Sequence, residues 1–191
     1  MDLLTTIEAT AVALNIVYVV LAIRQNVLCW PFGIAASLIS IWFFIEIKLF
    51  AEAMLFVYYV LMGVYGWWVW SSKRQQDGST ISVLTIRKHL LLIAAGALLA
   101  VLLGFFLAEN TSAESPYFDS FTTIFSFVAT WLTARKVLES WVYWIVVDVA
   151  TIFLYGSKGA MLYAGLSVIY TVMAVYGLRE WRRSYQSQIP A

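Results

Sequence analysis

The chain is poor in the groups that usually carry chemistry. Cysteine and histidine occur once each, as Cys29 and His89. A lone cysteine excludes an intrachain disulfide. With a single histidine it also falls short of the four ligands a structural zinc needs. No metal and no cofactor are therefore expected. Charge is scarce: Asp, Glu, Lys and Arg make up 12% of the 191 residues, about half the share in an ordinary soluble domain. The net charge is +1, which leaves no basic surface for nucleic acid. A basic leader is missing too. The first residues carry Asp2 and Glu8, so the first apolar segment is expected to remain as a span rather than be removed as a signal peptide.

Apolar sequence fills the space that charge leaves. Hydrophobic residues make up 62% of the chain and the mean hydropathy is +0.83, the composition of a protein that lies mostly within a lipid bilayer. Seven segments are long enough to cross it, at 6–23, 28–47, 53–70, 89–108, 117–133, 140–156 and 160–178. Charges alternate in sign around them. Arg24, the group Lys73, Arg74, Arg87 and Lys88, the pair Arg135 and Lys136, and the group Arg179, Arg182 and Arg183 all fall on one side. The other side holds Asp2, Glu8, Glu46, Glu52, Glu109, Glu114 and Asp119, with only Lys48 and Lys158. The positive-inside rule puts the N-terminus outside and the C-terminus in the cytoplasm.

An internal repeat is visible. The string MGVYG at 62–66 returns as MAVYG at 173–177, an offset of 111. The same offset pairs Arg24 with Arg135, Trp30 with Trp141, Tyr59 with Tyr170 and Trp70 with Trp181. The expected fold is therefore an all-α integral membrane protein of one domain, residues 1–191, built as three plus one plus three spans. The first repeat covers about 5–71, a linker helix about 88–108, and the second repeat about 117–183. A linker that crosses once makes the repeat parallel. Transporters of this build hold substrate at the repeat interface near the midplane.

Polar residues lie in stripes at helical spacing. The second span carries Trp30, Gly33, Ser37 and Ser40; the third Glu52, Phe56, Tyr59, Met62 and Gly66. The fifth carries Asp119, Thr123, Ser126 and Thr130; the sixth Trp141, Trp144, Asp148, Thr151 and Tyr155. Such faces point at other helices or at a cavity. For the serines and threonines, helix packing and pocket lining are both open. Trp30, Trp67, Trp68, Trp70 and Trp181 sit near span ends and are expected in the interfacial belt, a role open to Trp141 as well. Glycines 63, 66 and 177 are expected to permit close packing.

Asp148 stands apart. It lies about 10 Å along the axis from either end of WVYWIVVDVATIFLY, residues 141–155. A carboxylate at that depth costs roughly 2.5–3.5 kcal/mol on insertion scales, and no lysine or arginine shares the depth. Beside the faces of Trp141 and Trp144 it would attract a cationic ring, which an indole stabilises by up to about 2 kcal/mol when desolvated. Hydroxyls on neighbouring spans both donate and accept. The implied ligand is small, flat and cationic or amide-bearing, such as a nucleoside or a vitamin.

The stretches NVLCWPFGIAASLISIWFF, KLFAEAMLFVYYVLMGVYGWWVW and SPYFDSFTTIFSFVATWLTARKVLESWVYWIVVDV resemble the bacterial PnuC-type vitamin transporters. The likeness runs from the first span to REWRR near the C-terminus. Its most specific part is W-x-x-W-x-x-x-D/N, here Trp141, Trp144 and Asp148. The resemblance implies the three-plus-one-plus-three fold in the bacterial inner membrane. It also implies uptake of nicotinamide riboside by facilitated diffusion, with a cytoplasmic kinase trapping the substrate by phosphorylation. Relatives carrying thiamine or riboflavin make thiamine the alternative. The implied substrate-binding set is Trp141, Trp144 and Asp148, joined from the stripes by Phe56, Tyr59, Glu52, Thr123, Ser126 and Ser37. Two positions depart from many members: Phe56 stands where glutamine is common, and Ser140 where asparagine is.

Other classes fit less well. A retinal protein needs a lysine in mid-helix, and Lys158 lies at a span end. An enzyme needs more than one central acid. A vitamin-binding membrane protein that does not transport would carry the same stripes.

Overall fold

In the computed structural model the described residues are 3–46, 50–72, 81–111, 114–157, 159 and 161–188, with the side chains of 3–5 and 50–52 outside this set. The expected positions Asp2, Lys48, Lys73, Arg74 and Lys158, and the Glu52 side chain, lie outside the described residues.

Among the described residues seven helices follow one another: α1 Leu3–Ile23, α2 Cys29–Glu46, α3 Phe50–Ser71, α4 Ile86–Asn110, α5 Pro116–Ala134, α6 Ser140–Ser157 and α7 Met161–Gln186. Each apolar run of the sequence forms one of them. The bilayer leaves no alternative, because every backbone N–H and C=O must be paired within the segment. Six are long and apolar enough to cross a membrane. The exception is α5, diluted by Asp119, Ser120, Thr122, Thr123, Ser126, Thr130 and Thr133. Its polar residues are sheltered rather than set against lipid. Ser120, Thr122, Ser126, Thr130 and Thr133 are all buried. Most of their hydroxyls donate back to carbonyls of the same helix, as Ser120 Oγ does to Pro116 O (2.7 Å), Thr130 Oγ1 to Ser126 O (2.8 Å) and Thr133 Oγ1 to Ala129 O (2.9 Å). The last helix runs some two turns beyond the expected end of its span, carrying Arg182 and Arg183 clear of the apolar stretch.

The chain forms two compact units, 1–80 and 81–191. In the first, α1 packs on α2 and α2 on α3. In the second, α4 packs on α5, α5 on α6 and α6 on α7.

Each unit contains the same turn. Among the described residues, Gln25 and Lys136, 111 residues apart, are the non-glycine residues with positive φ, at 55° and 51°. Around Gln25, Gln25 N–H donates to Ala22 O (2.9 Å), Asn26 N–H to Leu21 O (2.9 Å) and Cys29 N–H to Asn26 O (3.0 Å). Around Lys136, Lys136 N–H donates to Thr133 O (3.0 Å), Val137 N–H to Leu132 O (3.0 Å) and Ser140 N–H to Val137 O (3.1 Å). These bonds satisfy the carbonyls left over where a helix ends. The second turn has an added strap. Ser82 N–H donates to Lys136 O (3.0 Å) and Leu138 N–H to Ser82 O (2.9 Å). Leu84 N–H donates to Glu139 Oε2 (3.3 Å). His89 Nδ1 shares a hydrogen bond with the Tyr143 hydroxyl (3.1 Å), and its Nε2 lies 3.7 Å from Glu139 Oε1. The one histidine thus pins the start of α4 to the start of α6.

Below the strap, Phe125, Ala129, Leu132, Val137, Tyr143 and Val147 form the apolar core of the second unit. Tyr143 stacks on His89 at one side and on Phe125 at the other, with ring planes 18° apart in both pairs. In contrast α4 turns a broad apolar face outward, with Leu90, Leu91, Leu98, Leu99, Phe105 and Phe106 all exposed, as suits contact with lipid. Its buried side is glycine and alanine, Gly96, Ala100 and Gly104, which lets α5 approach closely.

Candidate functional site

The site is built on α6, where Trp141, Trp144 and Asp148 fall within about 60° of one another around the axis at 100° per residue. Trp141 and Trp144 reach to opposite neighbours. Trp141 is buried against α7, where its ring fills the space left by Gly177. A Cβ on that glycine would sit 2.7 Å from Trp141 Cδ2. Its edge meets Trp181 at 5.5 Å and 86°. Trp144 leans to α5, where its Nε1–H donates to Thr133 Oγ1 (3.2 Å) and its ring packs against the cluster that contains Ala129. Asp148 projects between these two directions. It is 9% exposed, and among the described residues its carboxylate has no hydrogen-bond or ion-pair partner. Thr151, one turn on, donates to the Asp148 carbonyl (2.8 Å) and not to the carboxylate.

A buried carboxylate in this setting, with an indole a turn away and no cation beside it among the described residues, is a candidate binding group. Among the described residues of the second unit, two further polar atoms are buried and unpaired, Ser140 Oγ and Trp141 Nε1. On α5, the one-faced row Thr123, Ser126, Thr130 and Thr133 runs past this face. Ser126 is buried, Thr123 half-buried, and neither hydroxyl donates to a carbonyl of its own helix as those of Thr130 and Thr133 do. Thr133 is the residue that inspection of the sequence missed. It continues the Thr123, Ser126, Thr130 stripe by one more step of three, and placing the span end there hid it.

The expected residues of the first unit sit apart on their own helices. Ser37 is buried, and its hydroxyl donates to Gly33 O (2.8 Å). Phe56 stacks on Phe44 at 5.4 Å and 20°, and meets Tyr59 edge-on at 5.6 Å and 70°.

The interfacial belt is the wrong setting for three of the tryptophans assigned to it. Trp30 is 1% exposed, Trp181 0% and Trp70 also buried. Trp30 lies over Gly66, where an added Cβ would come within 2.4 Å of its ring, and meets Trp70 edge-on at 5.3 Å and 87°. Glycine on the facing helix makes room for the indole, so these rings pack inward despite lying near span ends. Trp67 and Trp68 are exposed, as belt residues would be. The two Trp–Gly–Trp arrangements, Trp30–Gly66–Trp70 and Trp141–Gly177–Trp181, again differ by 111 residues.

Apolar helices joined by tight turns, with a sheltered polar face carrying one unpaired acid, define a multi-pass membrane protein with a candidate small-molecule binding face. The chain belongs to the nicotinamide mononucleotide transporter family, whose model matches residues 5–183. It is similar to the nicotinamide riboside transporter PnuC of Escherichia coli (strain K12), with 24% identity over 95% of this chain and 87% of that one. It is also similar to the riboflavin/roseoflavin transporter RibM of Streptomyces davaonensis, with 24% identity over 88% of this chain and 80% of that one. Its fold matches a crystal structure of the vitamin B3 transporter PnuC with a TM-score of 0.78, at 23% identity over 97% of this chain and 84% of the other. These relatives are transporters, not enzymes.

Proposed function

We propose that this chain takes up a small cationic aromatic vitamin, nicotinamide riboside in the first place, across the bacterial cytoplasmic membrane. The observation that carries the reading is the buried, unpaired Asp148 carboxylate beside Trp144. A pyridinium ring supplies the positive charge the carboxylate lacks and a face for the indole. The neutral flavin ring of riboflavin, the cargo named for the RibM relative, supplies no such charge. Trp141, Trp144 and Asp148 form the centre of the site in the second unit, with Thr123 and Ser126 from α5 beside it; Ser37, Glu52, Phe56 and Tyr59 are candidate substrate-contacting residues within the first unit. The chain is read as two three-helix repeats joined by α4, with α5 as a seventh span, the N-terminus outside and the C-terminus in the cytoplasm. Transport proceeds by alternating access as facilitated diffusion, and phosphorylation by a cytoplasmic kinase keeps the substrate inside.

Thiamine is the second reading. Its thiazolium is also cationic, and Phe56, stacked on Phe44, offers hydrocarbon where many similar chains have glutamine. Purified protein in liposomes tests both. Labelled nicotinamide riboside should equilibrate across the bilayer without an imposed gradient, faster than thiamine. Equilibration of thiamine alone would favour the second reading, and failure to move either would end the transporter assignment.

A further inference from the structure

Asn15 is a polar group that its own helices leave unpaired. It stands at the middle of the 18-residue apolar stretch Thr6–Ile23 of α1. Thr10, Ala13, Val17 and Val20 form the exposed row of that helix. At 100° per residue, Asn15 lies about 180° from the centre of that row. It is half-buried, on the inward side of the helix with Ala11, Tyr18 and Ala22. Among the described residues its amide makes no hydrogen bond. A polar side chain in a span ordinarily bonds to the next helix or back to its own. Asn110 does the second, donating to Phe106 O (2.8 Å). Asn15 does neither.

The neighbour at its level is α2. The two helices pack together and run antiparallel through the tight turn at Gln25, with the ring of Tyr18 over Gly33. Three residues back from Tyr18 is Asn15; three and four on from Gly33 are Ala36 and Ser37. Ala36 is buried and has no polar side-chain atom. The Ser37 hydroxyl gives its hydrogen to Gly33 O (2.8 Å), so it offers the Asn15 carbonyl no donor. The 111-residue offset sets Asn15 against Ser126 and Ser37 against Asp148. The first unit thus carries an amide and a hydroxyl where the second carries a hydroxyl and a carboxylate.

An amide turned away from lipid and left unpaired costs free energy until a donor and an acceptor reach it. Its N–H and C=O lie side by side. A primary carboxamide presents the same two groups in reverse and closes two hydrogen bonds at once. We propose that Asn15 is a specificity-determining residue of the first unit that pairs with the carboxamide of the substrate. This rests on the reading of the chain as a nicotinamide riboside transporter, and it goes further in bringing α1 into the binding machinery and in naming the part of the ligand that α1 reads. The role is independent of the charge attraction assigned to Asp148.

The test is calorimetric titration of the full-length purified chain with nicotinamide riboside and with the analogue in which a methyl ketone replaces the carboxamide. The analogue keeps the charge and the shape and loses only the N–H donors. The wild type should bind it about fivefold more weakly, as for one neutral hydrogen bond. Asn15→Leu keeps the bulk of the side chain and suits an apolar span. It should bind nicotinamide riboside about tenfold more weakly and the ketone about twofold more weakly, so that the preference falls to near unity. Asn15→Ser, which keeps a polar group but not the paired edge, should show the same collapse of preference. A wild type that binds both ligands equally, a preference unchanged in the two variants, or an equal loss for both ligands overturns the carboxamide pairing while leaving the transporter reading intact. A wild type that binds no nicotinamide riboside overturns the substrate reading and the pairing with it.

Discussion

Replacing Gly177 with alanine isolates the packing that holds Trp141. A methyl carbon there would lie 2.7 Å from Cδ2 and Cε3 of the indole and 2.8 Å from Cε2. Ordinary contact needs at least about 3.4 Å, so the ring must retreat by some 0.7 Å. Trp181 meets it edge-on at 5.5 Å, so retreat disturbs a second fully buried ring. Overpacking of this kind costs roughly 1–3 kcal/mol. Alanine also returns up to about 1 kcal/mol of helix propensity, which would blur the reading if one variant were measured alone. Gly165 supplies the control: it sits on the same helix, and nothing lies within 4 Å of the Cβ it would gain. Propensity cancels between the two variants, and their difference is the packing cost. At about 2–4 °C per kcal/mol for a chain of this size, Gly177→Ala should unfold roughly 2–12 °C below Gly165→Ala in detergent, followed by circular dichroism during heating. Equal melting, or Gly177→Ala the more stable, would refute the wedge between Trp141 and Gly177 and with it the inward placement of that tryptophan.

Three further outcomes are expected. Asp148→Asn should weaken binding of nicotinamide riboside by at least tenfold while leaving neutral riboflavin unaffected, since it removes a charge but keeps a polar group; calorimetry on both ligands checks it, and equal effects would make Asp148 a packing residue. Thr133→Val removes the acceptor of the Trp144 indole at constant shape and should cost about 1 kcal/mol of stability with a rise in substrate dissociation constant, whereas Thr130→Val, whose hydroxyl serves only its own helix among the described residues, should leave Trp144 fluorescence as it was. Gln25→Gly should raise stability by roughly 0.5–1 kcal/mol, because a left-handed backbone at φ 55° strains any residue with a Cβ; a lower unfolding temperature would show that the glutamine side chain offsets the strain.

The helices are legible in the sequence because lipid admits so few backbone solutions: an apolar run of sufficient length must be a helix, and its ends must be polar. The 111-residue offset is legible for a similar reason, since Trp30, Gly66 and Trp70 recur as a set that only a shared packing arrangement would keep together. Individual tryptophans are less transparent. An indole near a span end has the same hydropathy whether it faces headgroups or a glycine on the next helix, so Trp30 and Trp68 look alike in sequence and differ from 1% to 70% exposure in the fold. Hydroxyls are ambiguous in the same way. Ser37, Thr130 and Thr171 each satisfy their own hydrogen within the helix, a bond that no spacing rule distinguishes from one made to a neighbour or a ligand. Asp148 is legible as important because a buried carboxylate is costly. Which residues of α5 and α7 lie at its depth is not, since register between helices is fixed by the side chains that meet, here Trp144 with Thr133 and Trp141 with Gly177.

Tyr18 and Trp144 fill matching gaps from opposite sides. In the first unit the ring of Tyr18 on α1 lies over Gly33 of α2, where a Cβ would come within 2.9 Å of it. In the second unit the positions 111 residues on are Ala129 and Trp144, so the small residue and the large one have traded helices. Knob and socket have changed owners. An engineer wishing to transplant the indole of α6 into α2 would therefore have to change two residues at once. Gly33→Trp alone collides with Tyr18, and Tyr18→Ala alone opens a hole worth about 3–5 kcal/mol. Changing both removes the collision and fills the hole, so the pair should be better tolerated than either single change suggests.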